Sequence, residues 1–458
     1  MEKGASSKLL ADLMRRLFLQ RVDNYSQCIK VMFICGEWGS RKGGLSTFNR
    51  QLAANLAKAS IERIKVHCYV SESAEEDRQD ASRQGVNLIT AKRTPGSSDP
   101  LEWLKFPPAE LPYPDIVVGH GRKYGSAAYH ISDRTKCSWL HFVHVFCEDL
   151  GKFKLDVGAT SDAIAENEEK SRQELELCEA ADRVVAVGVG LQQKYERCIP
   201  DIKVVTPGIF EMLESIHLQA RQTGRWFRIF VVGRDSFEDF GLKGYDIAGK
   251  AVASLGRKFE LVFVGARQQE HRKIENWFLE VTKIARRQLT IRSFRDYQEM
   301  KKIFREADLI VMPSRTEGFG LVALEAISAA VPVLVSRECG IASALEEVEG
   351  GMSVVVDSDL PDDWANRIRE LSEQKSDERH ANAMKLREQY EKKYSWKKEC
   401  EKLEQMIVEL VQRPQNGIAC VNLRGGLIYF KIAFSQVCYS FMVLFLLVHL
   451  PTFFKTLT

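Results

Sequence analysis

The sequence predicts an α/β protein made of two doubly wound, Rossmann-like domains in tandem. Short apolar runs recur along the chain, separated by segments of helical periodicity. That is the pattern of a mostly parallel sheet covered on both faces. The pattern restarts at Phe227 after a linker-like stretch from about Phe210 to Gly224, so two sheets fit better than one very large one. The 458 residues are long enough for two or three domains.

The first strand is expected at Ile29–Cys35, followed by a glycine-rich loop and a helix over Ser46–Ala59. Strands follow at Lys65–Val70 and Val86–Thr90. The proline-rich stretch Lys92–Pro114 lacks periodicity and reads as loop. Asp115–Val118 is a short buried strand ending at Gly119 and His120, and Tyr124–Ser132 is the next helix. Cys137–Val145, Val184–Val187 and Lys203–Thr206 complete the first set of strands.

In the second set, strands are expected at Phe227–Val232, Glu260–Val264, Leu289–Ser293, Leu309–Met312 and within Val331–Ser336. Helices fall between them at Tyr245–Ser254, Lys273–Arg286, Met300–Ala307 and Leu321–Ala330. Asp362–Leu371 and Asp377–Leu410 read as charged helices with apolar stripes that could brace the two domains. The domain boundaries implied are an N-terminal extension at 1–27, a first domain at 28–210, a linker at 211–225 and a second domain at 226–378. Bracing helices at 379–413 and a hydrophobic tail at 414–458 follow.

Composition narrows the function classes. Hydrophobic residues make up 45% and charged residues 28%, an ordinary globular mixture. The formal charge of +3 is too weak to imply nucleic acid as a partner. The 11 cysteines form no CxxC pair or zinc-like cluster, which suits reduced thiols in the cytoplasm and no metal site. Met1–Val22 reads as an amphipathic helix, with Leu9, Leu10, Met14, Leu17 and Phe18 near helical spacing, and not as a secretory signal.

The other end differs. Ile432–Phe454 contains no Asp, Glu, Lys or Arg. As a helix it would run about 34 Å, enough to cross a bilayer. Arg424 and Lys431 precede it and only Lys455 follows, an asymmetry that favours a tail anchor with the body in the cytoplasm. Residues 432–454 are therefore a candidate membrane anchor, against the alternative of a buried or disordered extension.

Three constellations could carry chemistry. Gly36–Gly44 joins a strand to a helix, and Gly43-Gly44 would let backbone amides approach an anion at the helix N-terminus. It is neither a P-loop nor a GxGxxG fingerprint. Gly233-Arg234 ends a strand and Lys243-Gly244 lies before the next helix, at the sheet edge where doubly wound folds bind ligands. Arg234 and Lys243 could together hold a nucleoside diphosphate and offset leaving-group charge.

The third constellation runs from Arg315 to Ala326. Glu317 lies in the loop, Gly318 and Gly320 relax the turn around Phe319, and the helix begins near Leu321 with its amides free to meet a pyrophosphate. Glu325 sits about two turns into the helix, about 80° from Glu317 if all were helical, so the two do not form a same-face carboxylate pair. Its apolar neighbours argue against an ordinary surface residue. His120 and His144 each end a strand on the presumed ligand edge and could bond a substrate hydroxyl or carbonyl. His141 has no comparable placement.

From about Lys30 to Leu410 these residues resemble the retaining glycosyltransferases of family 4, which have the GT-B fold of two Rossmann-like domains facing a cleft. Glu317-Gly318-Phe319-Gly320-Leu321, continuing to Glu325 and Pro332, is similar to that family's E-x7-E region. The resemblance implies that Glu317 meets the transferred sugar and Glu325 the nucleotide ribose. It assigns Arg234 and Lys243 to the donor phosphates and Gly43-Gly44 to the glycine-rich loop near them. Ser395-Trp396 resembles the terminal crossover segment.

Two departures from the family pattern stand out. The spacing from Arg234 to Lys243 is longer than usual. The active-site histidine is ambiguous, with His144 favoured over His120.

The implied activity is transfer of a sugar from a nucleoside-diphosphate sugar, with retained anomeric configuration and no tightly bound cofactor. The acceptor could be a sugar, lipid, protein or small molecule. The alternatives are an inactive sugar-nucleotide sensor or interaction protein, or a related epimerase or phosphorylase of the same architecture.

Overall fold

The computed structural model describes residues 28–39, 43–108, 111, 113–149, 161–214, 226–233, 236–293, 297–412, 418–423 and 426–431. The chain divides into a large unit, Met1–Ile407, and a small one, Val408–Thr458.

The large unit contains two parallel sheets. The first has the strands β1 (Ile29–Glu37), β2 (Ile64–Glu72), β3 (Asn87–Thr90), β4 (Ile116–His120), β5 (Ser138–Val143), β6 (Arg183–Val187) and β7 (Lys203–Val205), in the order β3-β2-β1-β4-β5-β6-β7. Every pair is parallel, with Phe33 opposite both Cys68 and Val118. The run Val31–Cys35 is fully buried, because helices cover both faces and neither side of the strand meets water. The helices here are α1 (Gly44–Ala59), α2 (Glu75–Arg83), α3 (Pro100–Leu104), α4 (Gly121–Thr135), α5 (Ser161–Ala180), α6 (Val189–Tyr195) and the short α7 (Glu211–Glu214).

The second sheet has β8 (Phe227–Val232), β9 (Phe259–Val264), β10 (Leu289–Arg292), β11 (Leu309–Met312), β12 (Val333–Ser336) and β13 (Val355–Val356), in the order β10-β9-β8-β11-β12-β13 and again parallel. Its helices are α8 (Tyr245–Ser254), α9 (His271–Thr282), α10 (Tyr297–Glu306), α11 (Leu321–Ser328), α12 (Gly340–Glu346) and α13 (Pro361–Glu373). Ile229, Phe240, Phe263 and Phe278 are at the centre of its core, with the Phe240 and Phe263 rings 5.7 Å apart. In both sheets the strand order reverses beside the first strand, between β1 and β4 and between β8 and β11. Those two crevices are the expected ligand sites of a doubly wound fold.

The expected charged helix over Asp377–Leu410 is two helices, α14 (Ser376–Lys393) and α15 (Trp396–Gln412), broken at Tyr394 and Ser395. The break is held from outside the helix. Tyr390 Oη donates to Pro207 O (2.9 Å), and Thr206 N donates to the buried Glu399 Oε2 (3.0 Å). Trp396 packs directly on Gly208. These contacts lie close to the end of β7, so α14 and α15 return to the first lobe and tie the second lobe to it. Phe210 N also donates to Ser328 Oγ at the end of α11 (2.9 Å).

Other expectations needed correction. Lys92–Pro114 is not all loop: Asp99 caps α3 by accepting from Leu101 N (2.9 Å), with Pro100 at the first helical position. The sequence pattern does not show the helices α2, α6 and α12, the short α7 within the expected linker, or the strand β13. α2 is too polar to show a stripe, with Ala81 its one buried residue. β13 has two residues, too few for any period.

The N-terminal amphipathic segment and residues 432–454 lie outside the described residues. Among the described residues, no helix is long and apolar enough to cross a membrane. In the small unit, Ile418–Leu423 and Gly426–Lys431 form an antiparallel pair.

Candidate active site

The loop after β11 carries the densest chemistry. Glu317 forms an isolated parallel bridge with Cys339, and Gly340 N donates to Glu317 O (3.1 Å). Ile341 N donates to Phe319 O (2.6 Å). The loop is therefore clamped in an extended form by the start of α12, an element the sequence pattern did not reveal.

Glu317 forms an ion pair with Lys243, whose loop comes from the neighbouring strand β8. Gly244, next to Lys243, has φ 64°, and a Cβ there would fall 1.9 Å from Pro313 O. Only glycine allows this left-handed turn to press on the β11 loop. A second link fixes the same two segments: Arg315 donates from Nη1 and Nη2 to the two carboxylate oxygens of Asp246 (2.8 and 3.0 Å). This fork-on-fork pair holds the Lys243 loop opposite Glu317.

Burial works against the charge on Lys243, but the Glu317 carboxylate outweighs it and the ammonium pKa lies above its ordinary value. Burial would likewise raise the Asp246 carboxyl, and Arg315 outweighs it, leaving it below the ordinary range. The Lys243 ammonium and the Asp246 carboxylate are thus held in their charged forms.

Glu325 sits inside α11 with its side chain buried. It is not a surface residue. Its carboxyl makes no hydrogen bond among the described residues, and burial pushes its pKa up to about 8. A buried carboxyl without a donor is costly, and a ligand diol would supply two donors.

Facing this loop is the end of the first sheet. Gly43 and Gly44 open α1, and Gly44 meets the Leu321 side chain, so the glycine-rich turn and the start of α11 are neighbours. Phe319 is buried against Gly188, at the start of α6. Gly318 lies on the main chain of His144. Gly43, Gly44, Lys243, Glu317, Gly318, Phe319, Gly320, Leu321 and His144 are thus gathered at one junction between the lobes. Arg234 lies outside the described residues.

The two histidines lie side by side. His120 Nδ1 and His144 Nε2 are 3.0 Å apart, and His120 Nε2 is 2.9 Å from Asn49 Oδ1 on α1. His120 is wholly buried within the rings of Phe33, Phe48 and Phe142, while His144 is partly exposed. Burial, reinforced by neighbouring imidazoles, holds the His120 pKa well below its usual value and lowers that of His144 to about 3. Both rings are neutral at pH 7. Asn49 had no sequence signal, being one polar residue inside a helix whose partner is 71 positions away.

His141 is buried and bonded to Glu174 (3.2 Å). With Cys178, these offer ligand atoms within 4.8 Å of one another. Glu174 also accepts from Arg122 N (2.9 Å), so it is already engaged as a structural acceptor.

Residues 32–403 match the profile of a family described as family 4 glycosyltransferases in conflict systems. The chain belongs to that family. This family 4 glycosyltransferase is 34% identical over 122 residues to the D-inositol 3-phosphate glycosyltransferase of Corynebacterium urealyticum. That match covers 27% of the chain and 28% of the relative, so it spans little more than a quarter of that protein's length.

Two solved structures share the glycosyltransferase's fold. Sucrose-phosphate synthase from Thermosynechococcus elongatus superposes with a TM-score of 0.65 at 19% identity, covering 83% of this chain and 99% of that one. Anabaena HepE in complex with UDP-glucose superposes with a TM-score of 0.61 at 16% identity, covering 83% and 100%. The two-domain GT-B architecture is therefore that of the chain.

Proposed function

We propose that this glycosyltransferase moves a sugar from a nucleoside-diphosphate sugar to an acceptor, with retention of anomeric configuration. The observation that carries this reading is the ion pair of Lys243 and Glu317 at the switch point of the second sheet, with the main chain of His144 against the same loop. In this reading Glu325 accepts from the ribose hydroxyls. The helix N-terminus at Gly320-Leu321 and the Gly43-Gly44 turn face the diphosphate.

Lys243 is the cation for the leaving group. The donor must first take Lys243 from Glu317, because one ammonium cannot satisfy both fully. Phosphate oxygens replace the carboxylate, and Glu317 is freed to accept from hydroxyls of the transferred sugar. Charge on the departing diphosphate is then met by a group already held in place by the Arg315–Asp246 fork. Arg234 is proposed as the second phosphate cation, on the resemblance alone. Contact between the lobes excludes water, which would otherwise compete with the acceptor.

HepE was solved with UDP-glucose, which makes that the first donor to try. The nine cysteines from Cys28 to Cys400 are free thiols, which supports a reducing compartment such as the cytoplasm. Residues 432–454 are proposed as a membrane tether, tested by fractionating cells that express the chain with and without residues 414–458. Membrane association that survives the deletion would rule the tether out.

The function is tested with Glu317→Ala. The purified variant is expected to fold and bind UDP but to transfer no sugar. Undiminished transfer would remove Glu317 from the mechanism.

A further inference from the structure

Asn49 is anchored on its other side, since its Nδ2 donates to Cys68 Sγ (3.3 Å). With Nδ2 on Cys68, Oδ1 faces His120, and a carbonyl oxygen can only accept. His120 Nε2 must therefore carry the proton and donate to Asn49. A neutral imidazole has one N–H, so His120 Nδ1 is a bare acceptor. His144 Nε2, 3.0 Å away, must then carry a proton and donate it. By the same rule His144 Nδ1 is left unprotonated, and it makes no hydrogen bond among the described residues.

We propose that Asn49 and His120 are positioning residues that act in series to fix the tautomer of His144, so that His144 presents Nδ1 to the cleft as an acceptor for a substrate hydroxyl. The role assumes the sugar-transfer reading given above. The tautomer itself does not depend on it.

The arrangement is that of an imidazole oriented by a partner behind it, with one difference. The partner is a second neutral imidazole, itself set by an amide, and no carboxylate takes part. Phe33, Phe48 and Phe142 enclose His120 and keep competing water from its nitrogens. His144 is held by its side chain through the first lobe and covered on its main chain by Gly318 of the second. An error in its orientation would therefore be felt where both lobes meet.

The test uses the full chain labelled with [15N]histidine, and long-range proton–nitrogen correlation to read which ring nitrogen of each histidine is protonated. In the wild type, His120 and His144 are both expected as the Nε2–H form. Asn49→Leu removes the first acceptor, and His120→Leu removes the second. Both should leave His144 as a mixture of tautomers. Both should lower the maximal rate of UDP release from UDP-glucose by about tenfold or more, with the Kd for UDP unchanged. Because the groups act in series, the double variant should be no slower than His120→Leu alone.

A wild-type His144 protonated on Nδ1 would overturn the proposal. So would an Asn49→Leu variant with unaltered tautomers and rate, or rate losses that simply multiply and follow the melting temperatures. If the wild type releases no UDP from any donor, the sugar-transfer reading fails, and the correlation spectrum still decides the tautomer.

Discussion

A Cβ built on Gly318 would lie 1.8 Å from the carbonyl oxygen of His144. The two residues belong to different lobes, and this approach brings the Glu317 loop to the first sheet. Backbone meets backbone there, so no side chain can swing aside to make room. Gly318→Ala should hold the lobes apart while leaving each core intact. The expected outcome is a wild-type circular dichroism spectrum, a larger radius of gyration in solution scattering, and a loss of sugar transfer of at least 100-fold.

Lys243→Ala removes the cation that Glu317 now occupies. Charge-assisted hydrogen bonds contribute roughly 1.5–3 kcal/mol. UDP affinity measured by calorimetry should fall about 10- to 100-fold, and uridine affinity, with no phosphate, should hardly change.

Glu325 sets stability against binding. Its folded pKa of about 8 lies above its ordinary value. Its contribution to stability is therefore fully present below about pH 4.5, and is lost as pH rises toward 8. Glu325→Gln should match the wild type in urea melts at pH 4. At pH 7 it should exceed the wild type by up to about 3 kcal/mol. The same variant should bind UDP more weakly, and wild-type UDP affinity should improve between pH 6.5 and 8.5 as the carboxyl ionises.

Glu399 accepts from Thr206 N with its side chain almost fully buried, and Lys402 donates to its other oxygen (2.6 Å). Replacing it with Leu leaves a buried amide without an acceptor. A loss of about 1–3 kcal/mol in chemical denaturation is expected, together with poorer transfer, because α14 and α15 hold the second lobe to the first.

Strand periodicity made the two sheets legible, and Phe227–Val232 and Leu309–Met312 were placed to the residue because buried parallel strands are continuous apolar runs. The E-x7-E loop was legible for a different reason: its glycines and glutamates are close in sequence. What stayed hidden depends on distance along the chain. Asn49, His120 and His144 come from three separate segments and meet only when β1, β4 and β5 lie side by side. The hydrogen bond between the two histidines, and the deeper burial of His120, could therefore not be read from the sequence. Arg315 was visible as part of a motif, but its partner Asp246 lies on another element, so its role as a clamp could not be read. The resemblance singles out Ser395-Trp396, but what fixes the break there, Pro207 and Gly208 in the other lobe, was equally hidden.

The most direct test of the central claim is a product-resolved assay of the purified chain with UDP-, GDP- and ADP-sugars and a panel of sugar, inositol phosphate, lipid and peptide acceptors. Hydrolysis is counted separately from transfer, and the product's anomeric configuration is read by NMR. The account predicts that one donor yields nucleoside diphosphate and a glycoside of unchanged anomeric configuration, and that Glu317→Ala abolishes both. A product of inverted configuration, or a chain that binds no nucleotide sugar while correctly folded, would contradict it.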